Sequence, residues 1–214
     1  MILPSKSTFV FDLDDTLYSE RDFEKSGIRF VYENLRIDHV SLETLLNNRN
    51  NWINLVVNSS KNQFSWRMVL ELYRNHSPTI KLFSDAKFFL EKLLSKGIEM
   101  SIVTDGRSIT QRNKLKALGI ESFFKNVVIS EEVNSEKPSE NNYRMVMCDN
   151  SEKSYIYIGD NPKKDFITPN KLGWVSICLL DRGQNVHEQV ITNSIESKPQ
   201  FVIKSFNEID IENF

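Results

Sequence analysis

The run Phe9-Val10-Phe11 leads directly into Asp12-Leu13-Asp14-Asp15-Thr16. An apolar triplet with a β-branched centre reads as a buried strand. It ends in three carboxylates, which repel one another and are costly to desolvate unless a cation or a proton relieves them. In open α/β sheets, ligands gather beyond the carboxyl ends of the strands. The chain is therefore expected to place anionic groups at the ligand edge of a sheet and to need a metal there.

The rest of the chain supplies that sheet. From Ser84 onward, helical and extended patterns alternate. Ser84–Lys96 reads as a helix closed by Gly97, and Ile98–Val103 as a strand ending in Thr104-Asp105-Gly106. A helix over 108–118 closed by Gly119, a strand at Val127–Ile129 and a helix over Ser139–Met147 follow. Next come a strand at Tyr155–Ile158 ending in Gly159-Asp160, a short helical piece ending at Gly173, and strands at Trp174–Leu180 and Phe201–Ile203. Such alternation implies a mostly parallel sheet with right-handed crossovers, the first strand lying centrally. Between the first strand and this series, residues 19–80 read as helices only. Apolar positions recur at helical spacing around Phe23–Leu35, after Ser41, from Trp52, and over 64–76, with a loop at Ser59–Asn62 and a stop at Pro78. The expected fold is α/β: a Rossmann-like core from residues 1–18 and 81–214, with an all-helical unit inserted at 19–80. The tail after Asp181 is polar and carries little pattern.

Composition narrows the function classes. Of the 214 residues, 40% are hydrophobic, enough for a core. No stretch approaches membrane-spanning length, and no basic segment followed by an apolar one marks an N-terminal secretion signal. The formal net charge is −2 with Lys and Arg scattered, which argues against a nucleic-acid surface. Cys148 and Cys178 fit no metal or redox spacing, so a reduced, cytoplasmic protein is expected. His39, His76 and His187 have no partners in ligand spacing and read as surface or packing residues.

Four strand ends or following loops then offer polar groups that a parallel sheet can bring to one edge: Asp12 with Asp14, Thr104, Lys137, and Asp160 with Asp165. The set suits phosphoryl transfer. A carboxylate nucleophile splits one difficult displacement into two easier ones. A second carboxyl nearby protonates the leaving oxygen and later activates water. Mg²⁺ prefers hard oxygens, which Asp12 and Asp160 provide. A hydroxyl and an ammonium stabilise the oxygens of the transferring group.

The same segments resemble the haloacid dehalogenase (HAD) superfamily. Asp12-Leu13-Asp14-Asp15-Thr16 resembles its first motif, Ile102-Val103-Thr104-Asp105-Gly106 its second, Glu136-Lys137-Pro138 its third, and Gly159-Asp160 through Asp165 its fourth, all in family order. The helical insertion occupies the position of that family's α-helical (C1) cap. The resemblance implies Asp12 as nucleophile and metal ligand, and Asp14 as general acid/base with its backbone carbonyl on the metal. It implies Thr104 and the Asp105 and Gly106 amides as phosphate binders, Lys137 as phosphate binder and charge stabiliser, and Asp160 as metal ligand. Asp165 is implied as a ligand or as a group orienting the ligands, and Thr16 as a support of the turn. The implied enzyme is a Mg²⁺-dependent phosphatase acting on a small phosphorylated metabolite, whether a sugar phosphate, a small acid phosphate or a nucleoside monophosphate. Neither nucleic acid nor membrane is an expected partner, and the oligomeric state is not readable.

Two other readings stand beside it. A phosphotransferase or mutase would pass the phosphoryl group to another hydroxyl, and a binding or regulatory module would do no chemistry. Intact Asp12, Asp14 and Lys137 argue against the second, and Asp14 argues against a dehalogenase. In the insertion, Phe23, Trp52, Trp66 and Tyr73 are expected as core. Tyr18, Glu20, Arg21 and Arg67 are the polar positions a closing cap would carry toward the site, although polar helix residues ordinarily face water. Arg107 is as well explained by a solvated helix start, and Asp15 as a structural residue.

Overall fold

A computed structural model of the chain describes residues 7–61, 63–147, 153–191 and 194–211. Cys148 and Asn62, to which sequence expectations were attached, lie outside these residues, as does the N-terminal segment before Ser7. The described residues form one six-stranded sheet in the order β3-β2-β1-β4-β5-β6, parallel throughout. The strands are β1 (Ser7–Phe11), β2 (Met100–Thr104), β3 (Asn126–Ile129), β4 (Ser154–Gly159), β5 (Val175–Leu179) and β6 (Phe201–Ile203).

Every residue of β1 is buried, as a parallel strand covered on both faces requires. Its side chains alternate between two cores. Phe9 and Phe11 pack on one face with Phe89, Leu90, Leu93 and Phe206. Val10 packs on the other with Val103, Tyr143, Tyr157 and Trp174. Burying a phenylalanine fully is worth about 1.5–3 kcal/mol, so Phe9 and Phe11 alone anchor the central strand firmly.

Helices α1 (Glu20–Asn34), α2 (Leu42–Asn47), α3 (Trp52–Ser59) and α4 (Trp66–Asn75) lie between β1 and α5 (Ser84–Ser95). Ser41 and Ser65 cap α2 and α4 by accepting from the amides of Thr44 and Met68. The four helices enclose a cluster of their own that includes Ile28, Val31, Leu45, Trp52, Val56 and Val69. Phe23 instead joins the core of the sheet. Trp66 departs from its expected place in the core and is 49% exposed. It is the first residue of α4, and helical side chains lean toward the N-terminus, so its ring projects past the helix end.

The remaining helices are α6 (Ser108–Leu118), α7 (Ser130–Val133), α8 (Glu140–Arg144) and α9 (Ile167–Lys171). Gly119 closes α6 in the left-handed conformation, φ +70°. Among the described residues, no helix is long and apolar enough to cross a membrane. The tail is more structured than its composition suggests: Arg182 clasps Asp85 at 2.7 and 2.8 Å, and the same carboxylate accepts from Ser205 and the Phe206 amide.

Candidate active site

Strand register assembles the site. Phe11 stands opposite Ile102 of β2 and Ile158 of β4. Asp12 follows it, and its amide donates to the Ile158 carbonyl at 2.9 Å. Thr104 and Asp160 lie two residues beyond those two rungs, so the three side chains share one edge of the sheet.

Lys137, from the loop before α8, fills the middle. Its Nζ lies 2.6 Å from Asp12 Oδ1, 2.7 Å from Asp165 Oδ1 and 3.2 Å from the Tyr157 hydroxyl. Asp165 also accepts from Tyr157 at 3.1 Å and from the Asn161 amide at 2.8 Å. Asp165 fits because Gly159 has no side chain: a Cβ there would come within 2.5 Å of Asp165 Oδ2. Asp160 accepts from Asn185 Nδ2 at 2.8 Å. Thr16 makes a long contact of 3.3 Å to Asp12 Oδ2.

Carboxylate oxygens of Asp12, Asp160 and Asp165 lie within 4.8 Å of one another, all three residues being buried. One ammonium against three buried carboxylates leaves an anionic excess. Burial pushes the Asp12 carboxyl up to about 7 despite Lys137, and burial followed by the charge of Asp12 pushes Asp160 well above the carboxylate range. The donor set is all hard oxygen with unneutralised charge, which fits a divalent cation of the Mg²⁺ type.

Asp14 is turned differently. Its carboxylate receives Lys114 Nζ at 2.7 and 3.0 Å, Gln111 Nε2 at 2.9 Å and the Tyr18 hydroxyl. Burial alone would raise this carboxyl, but Lys114 and the donated hydrogen bonds outweigh it and hold it below its ordinary value. The side chain of Asp14 is thus outside the three-carboxylate group. Gln111 Nε2 also donates to Thr104 Oγ1 at 2.7 Å. In the following turn, the Gly106 amide donates to Ser130 Oγ at 2.9 Å. The Asp105 carboxylate accepts from the Lys137 amide and from Lys164 Nζ, at 2.9 and 2.7 Å.

Asp12, Asp14, Thr104, Asp105, Gly106, Lys137 and Asp160 line a cleft of about 300 Å³, in the usual range for small-molecule sites. Glu20, Glu136, Asn161, Lys164 and His187 complete its wall. Burial, then the charge of Asp14, pushes the Glu20 carboxyl up to about 8. Of the four polar positions singled out at the cap, Glu20 lines this cleft and Tyr18 reaches it through its hydrogen bond to Asp14. Arg21 donates to the Asn185 carbonyl, and Arg67 stays on the surface with Glu71. Asp15 accepts from the Glu20 and Val186 amides at 2.8 and 2.6 Å, tying the first loop to the tail.

Sequence reasoning missed Gln111, Lys114 and Asn185. The first two carried a readable signal: they share the face of α6 that holds Leu115 and Leu118, where a Gln and a Lys are out of place. Asn185 sits in an irregular loop and carried none.

Residues 9–178 match the family model described as haloacid dehalogenase-like hydrolase. The chain belongs to that family. Among HAD relatives, the chain is 26% identical over 197 residues to a glyceraldehyde 3-phosphate phosphatase of Methanocaldococcus jannaschii, covering 80% of this chain and 83% of the relative. It is 30% identical over 119 residues to a phosphoserine phosphatase of Thermus thermophilus, covering 55% of this chain and about half (47%) of that enzyme. The magnesium-bound crystal structure of the HAD-hydrolase YfnB of Bacillus subtilis shares the fold, with a TM-score of 0.64, 20% identity, and coverage of 94% of this chain and 96% of that one. The four HAD-like sequence segments therefore meet at one cleft of a HAD fold.

Proposed function

We propose that this HAD hydrolase is a Mg²⁺-dependent phosphatase that cleaves a small phosphate monoester through Asp12. The observation that carries the reading is the convergence of Asp12, Asp160 and Asp165 around Lys137 in a cleft that also holds Asp14 and Thr104. Asp12 and Asp160 would hold the cation, with Asp165 beside them kept in place by Lys137 and Tyr157, and Asp14 contributing through its backbone. When bound there, Mg²⁺ supplies the positive charge that relieves these carboxylates and draws electron density from a phosphoryl oxygen.

The chain's own groups account for the remaining chemistry. Thr104 and Lys137, beside the Asp105–Gly106 turn, take the phosphate oxygens. An Asp12 oxygen attacks phosphorus as the ester P–O bond breaks, and Asp14, ionised in the free site, takes the proton of the bound monoanionic ester and gives it to the departing alcohol oxygen. Water then attacks the phosphorus of the aspartyl-phosphate, Asp14 accepts the water's proton, and Asp12 is regenerated with release of phosphate. The helical unit 19–80 acts as the cap over this cleft.

The cleft wall bears on substrate class. Its two lysines are engaged, Lys137 by Asp12 and Asp165, and Lys164 by Asp105. The wall also carries Glu20 and Glu136. Glu20, pushed up to about 8, keeps its proton at neutral pH and can donate to a substrate hydroxyl, while Glu136 would meet a second anionic group with like charge. We therefore favour monophosphates of uncharged polyols or sugars over phosphorylated acids and bisphosphates. Glu20→Lys is expected to raise kcat/KM for a phosphorylated acid relative to a neutral sugar phosphate by about tenfold, the weight of one ion pair in a partly buried site. An unchanged ratio removes Glu20 from substrate selection.

The test of the function is phosphate release from a panel of sugar phosphates, small acid phosphates and nucleoside monophosphates with Mg²⁺, using wild type and Asp12→Asn side by side. Selective, Asp12-dependent release supports the phosphatase. Conversion of a sugar phosphate to an isomer without release would identify a mutase.

Cation affinity should follow pH with a definite sign. The Asp12 carboxyl, pushed up to about 7 without metal, holds a proton that a cation must displace. Mg²⁺ binding measured by calorimetry is expected to strengthen steadily as pH rises from 5.5 to 8, with protons released from Asp12 and Asp160, both of which burial raises. Affinity that does not change between pH 5.5 and 8 would contradict a site built on Asp12.

A further inference from the structure

Lys114 and Gln111 are buried on α6, a helix that contributes no segment to the four motifs. Lys114 is 3% exposed and Gln111 1%. A lysine is rarely buried to that degree without a specific partner. Here the partner is Asp14, gripped through both oxygens at 2.7 and 3.0 Å. On its other side, the ammonium lies 4.4 Å from the centroid of the Phe23 ring of α1, within cation–π range. Gln111 uses one nitrogen to bridge Asp14 and Thr104, at 2.9 and 2.7 Å. The Tyr18 hydroxyl closes the set on Asp14.

The side chain of Asp14 is therefore fixed by groups outside the metal cluster. Aspartate has two free side-chain torsions, and a proton donor must lie within hydrogen-bond reach of the leaving oxygen to act. A ring of donors on one side fixes the carboxylate's direction and leaves its approach to the cleft defined. We propose that Lys114 and Gln111 are positioning residues of the phosphatase, holding Asp14 where it can exchange a proton with the leaving group and with water, and that Lys114 ties this carboxylate to α1 through Phe23. The proposal rests on the phosphatase reading above. The step it serves is the one already written: the proton that Asp14 takes from the bound monoanionic ester passes to the ester oxygen as the Asp12–phosphorus bond forms and the P–O bond breaks.

A positioning role has a kinetic signature that a loss of general stability lacks. The value of kcat/KM reports the transfer to Asp12. Phenyl phosphate, a poor leaving group, needs the proton from Asp14 in that transfer, and p-nitrophenyl phosphate needs it little. Lys114→Met is expected to lower kcat/KM for phenyl phosphate about 30-fold or more and for p-nitrophenyl phosphate less than about fivefold, given that general acids contribute about 10²–10⁴-fold. Gln111→Leu, which leaves the ion pair intact, should show the same skew at smaller size and serves if Lys114→Met does not fold. In an Asp14→Asn background, Lys114→Met should cause little further loss on either ester.

Equal losses on the two esters, or full additivity with Asp14→Asn, would overturn the positioning role. The control separates this from failure of the underlying reading. If Asp12→Asn retains hydrolysis, the phosphatase assignment itself is wrong. If Asp12→Asn is inactive and Asp14→Asn shows the leaving-group skew while Lys114→Met does not, only the positioning proposal fails.

Discussion

Asp12→Asn is expected to keep the fold and to lose turnover by about 10⁴-fold or more, the scale on which removal of an enzymatic nucleophile is felt. The amide has the volume of the carboxyl, and its oxygen can still accept from Lys137 Nζ, now 2.6 Å away. Burial already pushes the Asp12 carboxyl up to about 7, so the neutral amide resembles a form the metal-free protein readily adopts. Thermal unfolding of the metal-free variant should therefore match or exceed that of the wild type. Loss of activity with an unchanged or raised melting temperature isolates chemistry from folding. Appreciable phosphate release from the variant would remove Asp12 as nucleophile.

The second large effect is on stability. Lys137 is the ammonium between Asp12 and Asp165, with 2% of its side chain exposed. Removing one partner from a buried ionic cluster leaves the others uncompensated, at a cost of about 3–5 kcal/mol. Lys137→Met should thus be inactive and also strongly destabilised at neutral pH. The pH dependence has a fixed sign. Burial raises Asp12 and Asp160 above their unfolded values, so the folded state binds more protons between the two and loses stability as pH rises through that interval. Without Lys137, these carboxyls rise further, and the variant's stability should fall more steeply between pH 5 and pH 8 than the wild type's. Mg²⁺ should restore part of it. Urea unfolding at the two pH values, with and without Mg²⁺, reads all of this, and a wild-type slope in Lys137→Met would show that Lys137 does not hold the cluster.

The sheet was legible in the sequence because its signals are local. Phe9–Phe11, Ile98–Val103 and Tyr155–Ile158 are short, mostly apolar runs, and the polar residue that follows each directly or one glycine later (Asp12, Thr104, Asp160) is the one that register brings to the common edge. Gly119 and Ser41 marked helix ends through chemistry that needs no distant partner. What stayed illegible depends on tertiary placement. Lys114 is marked in the sequence only as a lysine on an apolar helix face, and its partners Asp14 and Phe23 appear only when α6 is placed against the first loop and α1. Asn185 reads as tail until the Asp181 carboxylate gathers the amides of residues 183–185 and sets its side chain on Asp160. Trp66 looked apolar enough for the core, and only the geometry of a helix end explains why it lies outside.

The two chain crossings between the sheet and the helical block run side by side. Leu17 accepts from the Phe83 amide at 2.9 Å, and Tyr18 forms an antiparallel bridge with Leu82. Outgoing and returning chain thus make a narrow stem, and beside it α1 and α4 reach the sheet and α6, through Phe23, Tyr73 and the end of α4. The entropic cost of what hangs from such a stem grows slowly with its length. Helices α2 and α3, which pack chiefly on α1, α4 and each other, are therefore the part of the block that can change length or sequence while β1 and its neighbours keep their register and the catalytic edge stays fixed.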